Sequence, residues 1–234
     1  MITSSEVIVL SRIKYGDASI IVKAYALEYG LITLMVKNAR GGKKSQGNYY
    51  QPGSILNIDF YQNRKSDISN VKSTTLAVSN LFITDIAKSA IMMFFSEVVL
   101  RYWKEEVPSE SFYKFYRETI ITLTLLEDRK MINTYPLKFL ISFSNFLGLK
   151  PMINDGVGLR FCLVEGSFLP SSLCKSPISE ELSSKLKSIL KGTNLLPDKK
   201  SASLLLQTLT DYFDIQLSRS GKLKTLGVLK EISG

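Results

Sequence analysis

A basic segment that contains two glycines is the part of this sequence best suited to chemistry with phosphates. Residues 36–44 read VKNARGGKK and carry the cations Lys37, Arg40, Lys43 and Lys44. Each lysine or arginine that neutralises a nucleic-acid phosphate releases bound counterions, and glycine lets the backbone approach a phosphodiester closely. Lysine-rich loops are also common as plain solvated surface, so charge alone leaves both interpretations open.

Aromatic residues lie among these charges, and exposed rings stack on unpaired bases. One such stack contributes about 1–3 kcal/mol per base. Tyr15 and Tyr49 are the best candidates because turn-like sequence surrounds them, whereas most aromatic residues of strands are core. Four further cations, Lys14, Arg64, Lys65 and Lys72, extend the same predicted nucleic-acid-binding face.

The sequence lacks the residues for most enzyme chemistry. It has no histidine, which excludes imidazole bases and imidazole metal ligands. Cys162 and Cys174 cannot fill a four-ligand zinc site by themselves, and we interpret them as ordinary buried or half-buried thiols. Phosphate-loop and dinucleotide-binding motifs are missing, and no pair of carboxylates is spaced for acid–base catalysis. We therefore predict a protein that is not an enzyme and has neither a cofactor nor a metal.

Composition and charge indicate a folded chain with a polyanionic partner. The chain has 234 residues, of which 45% are hydrophobic and 22% charged, and its net charge is +9. The amino terminus lacks the apolar core of a signal peptide, and no apolar run approaches the length of a membrane span. We expect a cytoplasmic protein without a membrane partner.

The first eighty residues read as a small β domain. Short runs rich in Val, Ile, Thr and Tyr are separated by turn-forming residues and occupy positions 6–13, 18–27, 31–37, 54–61 and 67–78. A lone sheet of five strands leaves its edges open, and closure into a barrel pairs them. We therefore predict a five-stranded OB-fold over residues 1–79, with room for a short helix between the third and fourth strands.

From about residue 80 the apolar period changes from 2 to about 3.6, which is typical of helices. We predict helices at about 80–106, 111–126, 134–147, 179–190, 199–217 and 226–232, with Pro136 in the first turn of the third helix. Residues 150–177 are irregular apart from a weak hairpin pattern. The predicted class is α+β with two domains, residues 1–79 and an all-α domain over residues 80–234.

Basic residues on the predicted helices have two interpretations. They are either solvent-facing decoration or the rim of an apolar groove that takes the acidic, apolar tail of a partner. The candidates are Arg101, Lys104, Arg117 and Lys138.

The order of these features resembles the RecO family of bacterial recombination mediators and DNA repair proteins. The stretch VIVLSRIKYGDASIIVKAYALEYGLITLMVKNAR is similar to the family's first three strands, with an E-x-G turn and a closing K-G-A-R segment. Residues 50–52, YQP, resemble the L-Q-P entry to the fourth strand, and residues 221–225, GKLKT, resemble the family's G-x-L-K-S element. Asn38 replaces the usual glycine of K-G-A-R, and asparagine tolerates a positive φ better than most residues.

The resemblance implies an amino-terminal OB domain that binds single-stranded and double-stranded DNA, followed by a helical domain. It implies strand annealing and loading of recombinase onto DNA coated by single-strand DNA-binding protein, together with RecR, in a bacterial cytoplasm and near the nucleoid during repair. Lys37 and Arg40 fall on the K-G-A-R segment, and Lys138 is associated with the acidic C-terminal tail of single-strand DNA-binding protein.

Many members of the family carry a four-cysteine zinc element where this chain has residues 150–177. The pattern is missing here, so we predict no zinc and expect packing alone to hold the segment. Two alternatives to the DNA-binding mediator remain: an adaptor that binds proteins through its helical domain, and an RNA-binding OB protein.

Overall fold

The chain forms two compact units, Met1–Leu125 and Leu126–Gly234. A computed structural model describes residues 1–40, 47–62, 67–78, 85–104, 107–154, 156, 158–193 and 197–232. The boundary predicted at residue 79 lies just after the last barrel strand, whereas the first compact unit continues through two helices. Within the described residues, no helix is both long and apolar enough to cross a membrane.

The first unit contains a closed barrel of five strands, and the predicted OB-fold is confirmed. The strands are β1 (Ile2–Tyr15), β2 (Ser19–Ala26), β3 (Gly30–Val36), β4 (Ile55–Tyr61) and β5 (Ile68–Leu76). They pair in the order β1-β2-β3-β5-β4, and β4 returns to β1. β3 and β5 are parallel, and the other neighbours are antiparallel. The short helix expected between β3 and β4 is a 3₁₀ turn, Gly47–Tyr49.

Alternating side chains of the strands fill the barrel. Val22 of β2 and Leu34 of β3 are fully buried in its core. The register of β1 against β2 shifts between Val9 and Ser11, where an extra residue forms a bulge. Because a strand's side chains alternate between its two faces, the bulge changes which residues of β1 face outward beyond it.

Two helices, α1 (Ile86–Tyr102) and α2 (Glu110–Leu125), complete the first unit. α1 begins where it does because the Asp85 carboxylate accepts the backbone N–H groups of the first turn. Tyr25 of β2 is fully buried, and its ring meets Trp103 and Phe112 edge-on. The backbone N–H of Ser109 donates to the Tyr25 hydroxyl at 3.0 Å, so this ring is part of the helix-barrel contact.

The second unit contains four helices and a hairpin in its described residues. The elements are α3 (Arg129–Phe146), β6 (Arg160–Cys162), β7 (Ser167–Leu169), α4 (Glu180–Leu190), α5 (Lys199–Gln216) and α6 (Lys224–Ile232). The hairpin predicted in residues 150–177 is present. Phe143 of α3 and Phe213 of α5 are fully buried and meet edge-on.

The start predicted for α3 is wrong. The helix begins at Arg129, not near residue 134, so Pro136 lies inside it and not in its first turn. Asp128 supplies the cap that sequence reasoning missed, because its side chain accepts the N–H of Met131 at 2.9 Å.

The interpretation of the two cysteines as ordinary thiols is also wrong. Cys162 and Cys174 form a disulfide, with their Cα atoms 5.8 Å apart. After the hairpin the chain returns beside β6, where the N–H of Ile178 donates to the carbonyl of Phe161 at 3.1 Å. Hydrogen bonds and a covalent bond therefore hold the segment, and the expectation that packing alone would hold it is wrong. With their sulfurs bonded to each other, the two cysteines do not provide the thiolates that zinc binds.

Candidate nucleic-acid interface

The outer face of β1, β2 and β3 presents a grid of side chains that we call the platform. Strand pairing sets its three rows. Ser11, Lys23 and Thr33 form the first row, and Ile13, Ile21 and Met35 form the second. In the third row Tyr15 lies opposite Ser19, and Lys37 follows directly after β3. The outer face of strands 2 and 3 is where OB-folds bind oligonucleotides and oligosaccharides.

The middle row of the platform is an apolar strip on the surface. Ile13 is 61% exposed, and Ile21 and Met35 are half-buried beside it. Tyr15, at one end of the grid, is 52% exposed. An apolar strip with an exposed ring at its end offers unpaired bases a surface to stack on.

Cations surround this strip. Lys23 is exposed within the grid and Lys37 at the end near Tyr15, whereas Lys14 pairs with the buried Ile20 and lies on the opposite face of β1. Arg12 lies on the inward side of β1 beyond the bulge, opposite Val22, and donates to the backbone carbonyl of Gly47. Exposed lysines beside the apolar row can neutralise phosphates of a strand whose bases lie on that row.

Arg40 holds the turn that connects β1 and β2. Its Nη2 donates to the carbonyls of Gly16 and Asp17, the second at 2.8 Å, and its backbone N–H donates to Ala18 at 3.0 Å. Asn38 adopts a φ of 55°, so asparagine takes the left-handed conformation for which the related segment uses glycine.

The predicted site residues differ in their exposure and in their contacts within the protein. Lys14, Tyr15, Lys37 and Arg40 are exposed and lie at one end of the barrel. Tyr49 is half-buried and packs against the barrel core, so much of its ring is occupied by contacts within the protein. The other predicted residues, Lys43, Lys44, Arg64 and Lys65, lie outside the described residues.

Sequence reasoning missed Lys23 and the apolar strip. The signal was present for Lys23, because a lysine between Val22 and Ala24 in a strand must face away from the core. Ile13 gave no such signal. It resembles the buried residues before it, and only the bulge turns it outward.

One carboxylate, Asp59, lies on the barrel surface outside the platform. Asp59 of β4 accepts the hydroxyl of Ser4 at 2.6 Å and that of Ser73 at 2.5 Å, and these hydrogen bonds lower the pKa of its carboxyl group. Lys72 lies near enough to Asp59 to lower that pKa further. The Asp59 carboxylate is therefore already paired, on a strand that is not part of the platform.

A second acidic residue, Glu6, connects β1 with α2. Its Oε1 accepts hydrogen bonds from the Tyr113 hydroxyl and from Nε of Arg117, each at 2.8 Å. Burial, and then the hydrogen bond to Glu6, raise the pKa of Tyr113. Arg117 therefore has an ion pair inside the first unit, a role that its prediction as a partner contact did not include.

The other predicted partner contacts are distributed over both units. The Arg101 guanidinium lies 5.4 Å from the centre of the Tyr102 ring, and Lys104 is exposed just after the end of α1. Lys138 is exposed on α3 and belongs to the second unit. Within the described residues, no group of three metal-ligating side chains is close enough to hold an ion.

Comparisons with known proteins match the whole length of the chain. Residues 1–79 match the family model described as "Recombination protein O N terminal". Proteins named DNA repair protein RecO from Flavobacterium psychrophilum and Flavobacterium johnsoniae are each 30% identical, over 97% of this chain and 98% of their own length. One from Christiangramia forsetii is 27% identical over the full length of both chains.

The family match covers the barrel that carries the platform, and the relatives extend the similarity through the helical second unit. Identity at this level over nearly complete chains supports the resemblance seen in the first three strands and in the K-N-A-R segment. The chain belongs to the RecO family of DNA repair proteins.

Proposed function

We propose that this protein binds single-stranded and double-stranded DNA on the platform and anneals complementary strands. The observation that carries the proposal is the apolar row of Ile13, Ile21 and Met35, with exposed lysines beside it and an exposed tyrosine at its end. Bases stack on the row and on Tyr15, while Lys23 and Lys37 neutralise phosphates.

Annealing on such a surface requires no covalent catalysis, and we propose that the protein is not an enzyme. Two DNA strands repel each other because both are polyanions. A cationic face that holds one backbone lowers the repulsion felt by the second strand. Bases that stack on the apolar strip keep their pairing edges available to the second strand.

The mediator role is the second part of the proposal. Together with RecR, the protein helps to load recombinase onto DNA that single-strand DNA-binding protein already covers. The acidic C-terminal tail of that protein binds the helical second unit near Lys138, an exposed cation on α3. Membership of the family and the resemblance of the two ends of the chain support this part.

The test is binding and annealing by a platform variant against a matched control. The platform variant combines Tyr15→Ala with Lys23→Ala, and the control combines Tyr61→Ala with Lys72→Ala, which are also exposed on the barrel. We expect fluorescence anisotropy to show weakened binding of labelled single-stranded DNA by the platform variant alone. Annealing of two complementary labelled strands should slow in the same variant.

Equal binding by the platform variant and the wild-type protein would refute the assignment of the platform. An RNA oligonucleotide that competes as well as DNA of the same sequence would instead indicate the RNA-binding alternative. For the second part, Lys138→Ala should weaken binding of a peptide with the acidic tail's sequence without changing DNA affinity. Unchanged peptide binding would exclude Lys138 from that contact.

A further inference from the structure

The turn between β1 and β2 is hydrogen-bonded to Arg40, a residue that follows β3. All three carbonyls of residues 16–18 accept hydrogen bonds from Arg40, two from its Nη2 and one from its backbone N–H. The guanidinium thus caps the same turn that carries Tyr15 at its edge.

The pairing of β1 with β2 ends at Tyr15 and Ser19, and the turn beyond that pair is exposed. Residues 12–17 are all exposed, and the space beside Gly16, which has a φ of 56°, is open. The backbone on the other side of the contact is anchored, because Ala39 is buried in the barrel core and its carbonyl accepts the N–H of Gly47 at 3.0 Å. Arg40 therefore connects the exposed end of the hairpin to backbone that the barrel core holds in place.

The same hydrogen bonds limit what Arg40 can offer to a phosphate. Nη2 has two hydrogens, and both are donated to backbone carbonyls of the turn. Both bidentate arrangements of a guanidinium, end-on through Nη1 and Nη2 or side-on through Nε and Nη2, need that nitrogen. Arg40 therefore cannot bind a phosphate through two nitrogens while Nη2 donates to the turn.

We infer that Arg40 is a positioning residue, which holds the β1–β2 turn so that Tyr15 meets a base, and not a ligand of the DNA backbone. The inference rests on the proposed function and assigns a role within it. Holding the turn before DNA arrives avoids the loss of conformational freedom that a mobile turn suffers on binding. Lysine cannot take this role, since its side chain is one bond shorter and lacks the planar fork.

A double-mutant cycle tests whether Arg40 acts through Tyr15. One base–aromatic stack corresponds to a change of about 5-fold to 160-fold in affinity, so Tyr15→Ala should weaken single-stranded DNA binding within that range. We expect Arg40→Ala and Arg40→Lys each to weaken binding about 5-fold. When Tyr15→Ala is already present, either substitution should add less than about 2-fold.

The salt dependence of binding separates positioning from charge. Arg40→Ala should leave the slope of log affinity against log salt unchanged, whereas the control Lys37→Ala should reduce its magnitude by about 0.7. The inference is overturned if Arg40→Ala reduces the slope like Lys37→Ala while Arg40→Lys retains wild-type affinity. Additive effects of Arg40→Ala and Tyr15→Ala would also overturn it.

Hydrogen exchange without DNA makes the result independent of the proposed function. Amides of residues 15–19 should exchange faster in both Arg40 variants than in the wild-type protein, with the rest of the barrel unchanged. Unchanged exchange would overturn the role of Arg40 in the turn even if DNA binding is normal. Failure of the wild-type protein to bind DNA would instead refute the proposed function and the positioning of Tyr15 for it.

Discussion

The platform makes a quantitative prediction about Lys23, which sequence reasoning did not single out. Lys23 is exposed in the centre of β2, between Ser11 and Thr33 of the neighbouring strands. If it neutralises one phosphate of single-stranded DNA, Lys23→Ala should reduce the magnitude of the salt slope by about 0.7. When salt is raised from about 50 to 200 mM, the affinity of the variant should therefore fall by a factor about 2.6 times smaller than the factor for the wild-type protein.

The same arithmetic extends to a set of lysines. Loss of two phosphate contacts, through alanine at Lys23 and Lys37 together, should reduce the magnitude of the slope by about 1.4 and the fall in affinity by about 7-fold over that salt range. An oligonucleotide of about 16 nucleotides covers one OB barrel, so anisotropy with a labelled strand of that length measures each slope.

Lys72→Ala is the matched control, because Lys72 is an exposed lysine of the same barrel beside Asp59 and not on the platform. Its slope should equal that of the wild-type protein. The reasoning fails if Lys23→Ala and Lys72→Ala change the slope equally, because the salt dependence would then report net charge and not contacts on the platform.

The remaining predictions concern stability. Tyr25→Phe removes the hydroxyl that accepts the N–H of Ser109, so the free energy of unfolding should fall by about 1 kcal/mol in urea denaturation; no change would show that the hydrogen bond contributes nothing. Reduction of the Cys162–Cys174 disulfide, which spans 12 positions, should lower stability by about 3 kcal/mol, and equal melting curves with and without reductant would contradict this. Hydrogen bonds from Ser201 lower the pKa of the Asp198 carboxyl group below its ordinary 3.8. The ionised carboxylate therefore stabilises the fold above that pH, and this stabilisation is lost as the pH falls further. Asp198→Asn should flatten the acid limb of Tm against pH, and an unaltered limb would exclude this carboxylate as a cause.

Much of the architecture follows from local patterns in the sequence. Alternation of apolar residues identifies the five barrel strands, since a strand's side chains alternate between its faces. The change to a period near 3.6 identifies the helices, and their predicted positions agree with the structure to within a few residues except at the ends of α1 and the start of α3. The start of α3 was misplaced because Pro136 is a strong signal for a first turn, whereas the Asp128 cap lies two turns earlier.

The two cysteines show why spacing along the sequence is not enough to predict a disulfide. Cys162 and Cys174 could be bonded only if the fold brought their Cα atoms within disulfide range. The return of the chain beside β6 brings them together, and it depends on backbone pairing between segments that no local pattern connects.

The sequence by itself determined the class of fold, the basic segment at residues 36–44 and the likeness to a DNA repair family, because composition, periodicity and motif order can be read from the chain without its folded contacts. Only the tertiary structure decided which residues share the platform. The bulge between Val9 and Ser11 turns Ile13 and Tyr15 outward and Arg12 to the opposite face. Pairing with β2 then aligns Ile13 with Ile21, and pairing with β3 adds Met35. A shift of one residue would have buried this row, and register is set by the contacts of the whole barrel and not by the residues of one strand.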